Sequence, residues 1–422
     1  MRRISRLLWT AALLLLALAT PVQAAPRFEL PKELTIIEAE AFRGTSIDEL
    51  VIPEGTLRIE TGAFADCGIQ QVTLPDSLAY IAPDAFGEVG DLRVKAPSGS
   101  YGERWAKEKN AILIKGLGVQ TRTQGQIRSF IAAHPADTTS AAAFRQQPEG
   151  GYYSDAPYAP GLLDEKSIAD GINMLNQLRY IAGLNANVVH DASRETAQGA
   201  ISLVNALNGG LSHYPDRPAE LGESQYDALY ALACQAGRTS NLSAGRSNLA
   251  KTMLGYVQDD GASNQQRVGH RRWLLNPAMG KTCFGYYYSP DSEWWYYSSM
   301  YAFDESGSGR EQPVAWPAQQ TPLTHFIYPT EHAWSLSFNR DLDADDIFVT
   351  LNRSRDGKTW RFSSEAADGA FYVNNQNYGQ PGCVIFLPDG MDSIKAGDVF
   401  RVTVEDRTRR EAVQYTVTFF NP

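Results

Sequence analysis

Leu30-Pro31-Lys32-Glu33-Leu34-Thr35-Ile36-Ile37-Glu38-Ala39-Glu40-Ala41-Phe42 begins a stretch that repeats itself. Residues 30 to 95 fall into blocks of 22: LPKELTIIEAEAFRGTSIDELV, IPEGTLRIETGAFADCGIQQVT and LPDSLAYIAPDAFGEVGDLRVK. Each block opens on an aliphatic residue and a proline (Pro31, Pro53, Pro75). Each carries Ala-Phe at one phase, at Ala41-Phe42, Ala63-Phe64 and Ala85-Phe86. Each closes on an alternating apolar segment such as Ile47-Asp48-Glu49-Leu50-Val51. So short a fixed period predicts a solenoid, because each unit can bury its apolar face only by stacking on the next. The recurring phenylalanine is then core rather than a ligand contact. Cys67, in the turn after Phe64, reads as packing.

These blocks resemble the BspA-type leucine-rich repeats of bacterial surfaces, over about residues 28–116. Ser98-Gly99-Ser100-Tyr101 and Trp105-Ala106-Lys107-Glu108 look like the terminal cap of such an array. Three blocks offer little concave surface, so the expected role is a structural spacer or docking module in preference to an independent adhesin.

Upstream of the repeats, Arg2, Arg3 and Arg6 precede an apolar run from Leu7 to Ala19, and Val22-Gln23-Ala24 supplies small residues. That pattern predicts a signal peptide over residues 1–24, with an N-terminal membrane anchor as the alternative. No later run has membrane length, so the expectation is a secreted, extracellular protein with no span after cleavage; surface association stays open. The chain has 422 residues, enough for several domains, and a net charge of 38 − 48 = −10. An acidic chain does not suit non-specific nucleic-acid binding, which needs a basic surface to release counterions. Of the four cysteines only Cys234 and Cys283 share a segment. They are the one pair placed to bond, and the alternative is four unpaired thiols acting as small hydrophobes.

Residues 117–166 accumulate Gln, Thr, Ala, Pro and Tyr and read as a linker packing on the next domain. Helical periodicity starts near Ser167, with Ser167 and Asp170 as a capping-box-like start. Ile168, Ile172, Leu175, Leu178 and Ile181 form one face, and Gly183 is the stop. A second helix is predicted over 193–207 and a third over 248–256. Gly269-His270-Arg271-Arg272-Trp273-Leu274-Leu275-Asn276-Pro277 follows, the densest run of chemistry in the chain. Residues 283–288 and 294–297 then read as two aromatic strands around Ser289-Pro290-Asp291. Helices followed by a hairpin predict an α+β layered domain.

From about residue 167 to 302 the chain is similar to the bacterial branch of the CAP superfamily, the cysteine-rich secretory and pathogenesis-related (SCP-like) type. The resemblance rests on Leu175-Asn176, Arg179-Tyr180-Ile181-Ala182-Gly183-Leu184, Ala197-Gln198, Leu211-Ser212-His213-Tyr214-Pro215, Ser240-Asn241-Leu242, the Val268–Pro277 run and Phe284-Gly285. It implies an α-β-α sandwich with a cleft built on two histidines and two acids. His213 and His270 match the histidines. Thr239-Ser240-Asn241 stands where the family has Gly-Glu-Asn, so Ser240 replaces a glutamate. Asp259, in Tyr256-Val257-Gln258-Asp259, is the remaining carboxylate, with Glu223 as another candidate acid.

His213, Asp259 and His270 would suit Zn²⁺ with an open fourth position, general acid–base work on water, or a hydrogen-bonded polar cluster. Arg271 and Arg272 could hold an anion by bidentate bonds, or act as a structural cation beside an exposed one. Trp273, Leu274 and Leu275 read as core, and Asn276-Pro277 as a turn. The aromatic run from 286 to 301 reads as a half-buried hairpin, with a carbohydrate- or lipid-facing platform as the alternative. No nucleophile motif appears beyond a truncated Gly307-Ser308-Gly309.

Residues 303–331 read as a second linker. From residue 332 to 422 seven short alternating segments predict an immunoglobulin-like β-sandwich, a module that often follows this CAP type. The expected organisation is therefore repeat solenoid, CAP-type domain and sandwich. The expected function is extracellular binding of a protein, lipid or cell-wall ligand through a cleft of His213, Asp259, His270, Ser240 and Arg271, with no catalytic residue assigned. The alternatives are a metal-dependent hydrolase, and an adhesin acting through its repeats.

Overall fold

The computed structural model describes residues 28–149, 157–289 and 294–422. The expected signal peptide lies outside these residues, as do Pro290 and Asp291 of the aromatic hairpin. The chain gathers into two compact units. One comprises the residues up to Gly116 with Asp345–Ser363 and Phe400–Tyr415. The other comprises Leu117–Ala344, Ser364–Val399 and Thr416–Pro422.

In the first unit each 22-residue block gives two short strands. Glu49–Val51, Gln71–Thr73 and Arg93–Lys95 pair in parallel, with Glu49 opposite Gln71 and Gln71 opposite Arg93. Ile36–Ile37, Arg58–Ile59 and Tyr80–Ile81 form a second parallel set. The repeated phenylalanines explain the stacking. Phe28, Phe42, Phe64, Phe86 and Trp105 form one aromatic column with 5.4 Å between successive ring centroids. The backbone keeps the same period, since the Phe42 N–H donates to Ala63 O and the Phe64 N–H to Ala85 O. Cys67 is buried within this core, as expected of a packing thiol.

The helix Tyr101–Glu108 closes the column. Ser100 caps it by accepting from the Glu103 N–H at 3.1 Å, and buried Trp105 takes the place of the next phenylalanine. The strand Ile112–Lys115 then extends the repeat sheet and pairs in parallel with Glu411–Phe420, Leu113 opposite Glu411. The sheet continues through Val399–Asp406, Ile347–Arg353 and Thr359–Phe362. Buried Glu405 holds Arg93 at 2.8 Å and Arg407 at 2.9 Å.

The second unit centres on an antiparallel sheet in the order Ser240–Ala244, Tyr296–Tyr301, Phe284–Tyr288. Successive side chains of a strand point to opposite faces, and helices cover both. Ser299 Oγ donates to Gln198 O of the helix Glu195–Leu207, while Ser298 bonds Thr252 of the helix Leu249–Gln258. Gly285 and Phe284 divide in the same way. A Cβ on Gly285 would lie 1.9 Å from Gln198 O, so only glycine admits that helix; the Phe284 ring packs on Gly171 of the helix Glu165–Ile181. The result is a helix–sheet–helix layering.

Several expectations need correction. The helix expected at Ser167 starts earlier, because Asp164 caps it by accepting from the Ser167 N–H at 2.8 Å. Ser167 is instead a buried first-turn residue whose Oγ accepts from the Ala143 N–H. The helix Asp227–Gly237 was not anticipated. The expected linker 303–331 contains the strands Val314–Trp316 and Gln320–Pro322. All four cysteines are unpaired, Cys234 and Cys283 included.

The seven C-terminal strands lie where the alternation places them, but they do not make a unit by themselves. Trp334–Ser337, Cys383–Pro388 and Gly369–Asn374 join Val314–Trp316 in a four-stranded antiparallel sheet of the second unit. Ile347–Arg353 and Thr359–Phe362 belong to the first. Among the described residues no helix is long and apolar enough to cross a membrane.

Candidate functional site

The helix Leu249–Gln258 ends at Asp259, which adopts a left-handed conformation at φ 54°. A second such residue, Val268 at φ 40°, starts the short helix Gly269–Leu274. A β-branched residue at positive φ is strained, and strain of this kind persists only where the surroundings fix it. Between them these two turns bring Asp259 beside His270. The Asp259 side chain is fully buried; Oδ1 accepts from His270 Nδ1 at 2.8 Å and Oδ2 from the Arg271 N–H at 3.2 Å. The His270 ring stacks on Tyr256 with centroids 5.2 Å apart. Burial pushes the Tyr256 phenol well above its ordinary range.

His213 is oriented separately. Its Nδ1 donates to Gly237 O at 2.8 Å. In both histidines an oxygen acceptor holds the proton on Nδ1, which leaves Nε2 as the nitrogen available to a ligand. Both line the same depression, made of two adjoining hollows of about 470 and 310 Å³ that share His213, Asn264 and His270. The first also takes in Asp259, Asp260, Arg246 and Tyr256. The second takes in Ser240, Asn241, Arg238, Arg267, Trp273, Phe303 and Tyr378.

The expected site residues therefore divide. His213 and His270 share the cleft. Asp259 is coupled to His270 rather than presented as an independent ligand. No three His, Cys, Asp or Glu side chains among the described residues are grouped to hold a metal, so the set His213, Asp259 and His270 is not assembled as a zinc site. Ser240 lies at the wall of the second hollow, but its hydroxyl bonds Gln198 and Ala236 O.

Arg271 is not a ligand contact. It is buried and donates to Val257 O, Gln258 O, Ala333 O and Ser335 Oγ at 2.6 to 2.9 Å. Burial lowers its pKa to about 10, with Asp259 opposing. Arg272 is buried too, bonding Asn374 Oδ1, Gln376 O and Gln380 O under the Tyr378 ring. Glu223 is exposed, bonds Gln225 and lies outside the cleft. Asn276 makes the expected turn, its Oδ1 accepting from the Ala278 N–H.

Sequence reasoning missed the cleft's aromatic wall. Trp273 is half-buried, not core, and stacks on exposed Phe303 at 4.2 Å. Two glycines let the wall close up. A Cβ on Gly269 would meet Tyr378 at 3.0 Å, and one on Gly379, at φ 81°, would meet Trp273 at 2.9 Å. Arg238 and Arg267 were missed as well, since nothing adjacent in sequence marks them.

Residues 24–96 match the family model of a BspA type leucine-rich repeat region, in 6 copies. No curated protein and no solved structure matches the chain.

Proposed function

We propose that this is an extracellular interaction protein, in which a BspA-type repeat array accompanies a CAP-type domain that binds its ligand in the His213–His270 cleft. The observation that carries the cleft reading is the paired fixing of two imidazoles. Asp259 and Gly237 O each hold an Nδ1 proton, and both rings border one depression. Preorganised donors and acceptors in a concave site are what ligand recognition requires. The helix–sheet–helix layering and the order of the sequence motifs support the CAP-type reading. The repeat match supports a surface or extracellular setting. Binding is favoured over hydrolysis because Ser240 stands where the resemblance expects a glutamate and the carboxylate that bonds His270, that of Asp259, is fully buried.

The test is binding of the full chain to purified bacterial cell-wall sacculi and to extracellular-matrix preparations. The parent is compared with His213→Ala/His270→Ala and with Val51→Arg, a change at an exposed strand position of the repeats. Loss confined to the histidine variant supports the cleft. Loss confined to Val51→Arg transfers the function to the repeats, the adhesin reading. Release of soluble fragments from the sacculi that stops in the histidine variant makes the protein a hydrolase.

A further inference from the structure

The cleft does not end at the histidines. A third hollow, of about 480 Å³, lies along Ser263, Gln266, Arg267, Phe371, Tyr372 and Asn374. It shares Ser263 with the first hollow and Arg267 with the second, so the three hollows adjoin along one side of the unit's surface groove. Such a groove suits a chain of linked units better than a single small molecule.

Its chemistry is uneven. The second and third hollows include Arg238 and Arg267 and no Asp or Glu among their lining residues. Both arginines are exposed, Arg238 with its guanidinium 5.7 Å over the Tyr214 ring, and neither is in an ion pair among the described residues. The carboxylates of Asp259 and Asp260 belong to the first hollow, so in the second and third two arginines stand without an acidic neighbour in the lining, and that part of the surface selects an anionic ligand. The second hollow also holds the Trp273–Phe303 stack, with Phe303 44% exposed and Tyr378 in the same lining. Half-exposed aromatic faces suit flat, weakly polar surfaces such as the C–H faces of sugar rings. Asn264 and Asn377 add amides for hydroxyl groups. Two cations release too few counterions to hold a nucleic acid well.

We propose that the groove past Arg238, Arg267 and the Trp273–Phe303 stack binds an acidic polysaccharide, its carboxylates on the arginines and its rings on the aromatic wall. The proposal rests on the reading of the His213–His270 cleft as a binding site, and it adds the class of ligand.

The experiment is calorimetric titration of the full chain with a galacturonic acid hexamer, its uncharged methyl ester and a hexathymidylate. The free acid is expected to bind about tenfold or more tightly than the ester, one good charge-assisted contact's worth. Arg238→Gln/Arg267→Gln, at exposed positions, should remove that preference. Phe303→Ala should weaken acid and ester alike. Equal binding of acid and ester, no effect of the arginine pair, or hexathymidylate binding as tightly as the acid each overturns the proposal. Absence of saccharide binding overturns it too, and the cleft reading then stands or falls separately on the sacculus and matrix test of the histidine pair. Saccharide binding lost in His213→Ala/His270→Ala but indifferent to both arginines keeps the cleft and discards the acidic ligand.

Discussion

Asp259 shows how one residue can shape a site without facing a ligand. Its left-handed backbone ends one helix, and its buried carboxylate fixes both the ring of His270 and the first turn of the next helix. Such a conformation costs on the order of 1–3 kcal/mol. The bonds to His270 and the Arg271 N–H offset it, charge-assisted bonds being roughly twice as strong as neutral ones. His213, His270 and Asp259 were picked out by the resemblance to the CAP type, matched motif by motif, and all three line one hollow. The sequence could not separate Arg271 from a ligand contact, since adjacency to His270 carries no information about burial. A different histidine sets the pH response. His325 is buried, with Nε2 on Gln177 Oε1 at 2.9 Å and Nδ1 beside Thr324 Oγ1, and burial lowers its pKa to about 4. The unfolded chain takes up this proton near pH 6.5, and the folded chain only near 4. The neutral histidine therefore contributes stability fully above about pH 6.5, and that contribution is lost as pH falls toward 4, by up to about 1.4 kcal/mol per unit. Buried His332, its pKa also lowered by burial and by Arg271, acts in the same direction. Melting temperature should fall on acidification across this window, and less steeply in His325→Gln, which keeps a partner for Gln177. An unchanged slope in that variant would exclude His325 as the source.

Among the elements, the loop after His270 depends on buried arginines rather than on its own periodicity. Arg179, on the helix Glu165–Ile181, donates to Asn185 O, Leu274 O and Asn276 O at 2.7 to 3.0 Å. Arg271 ties the helix Gly269–Leu274 to Val257, Gln258 and Ala333. Helical and strand patterning located most of the surrounding elements, because one buried face leaves a period of 3.6 or 2 in the sequence. Asp227–Gly237 escaped because its small residues, Ala228, Ala231, Ala233 and Ala236, blur the apolar stripe. Loops held by guanidinium groups leave no periodic trace at all. Substituting Arg271 tests this support. In Arg271→Lys a single ammonium replaces the planar fork, leaving carbonyls among Val257 O, Gln258 O and Ala333 O without a donor. Each buried group left unsatisfied costs about 1–3 kcal/mol. Denaturant unfolding should place the variant at least about 2 kcal/mol below the parent. A midpoint within experimental error of the parent's would mean that these bonds are replaceable and that the loop is held elsewhere.

At the scale of the whole molecule, chain order and compact units do not coincide. The repeats were legible as a solenoid because a 22-residue period must stack. The C-terminal strands were legible singly, by alternation, but not in their destination. Alternation reports which faces of a strand are buried and says nothing of which strand lies alongside. Glu411–Phe420 is the case in point. Its 411–413 end pairs with the repeat strand Ile112–Lys115, and its 418–420 end with Gln320–Pro322. Without Glu411–Val413 the repeat array would end on an open strand edge, a template for aggregation. The unit containing the repeats should therefore depend on residues some three hundred positions downstream. Val413→Pro examines this in the intact chain. Proline removes the Val413 N–H and is disfavoured inside a sheet, since it takes a donor out of the ladder. Hydrogen exchange should quicken at Ile112–Lys115 and Arg93–Lys95, while Phe284–Tyr288 in the other unit keeps the parent's protection. Parental protection at Ile112–Lys115 in the variant would show that the array is stable on its own cap, with Trp105 and the aromatic column sufficient to end it.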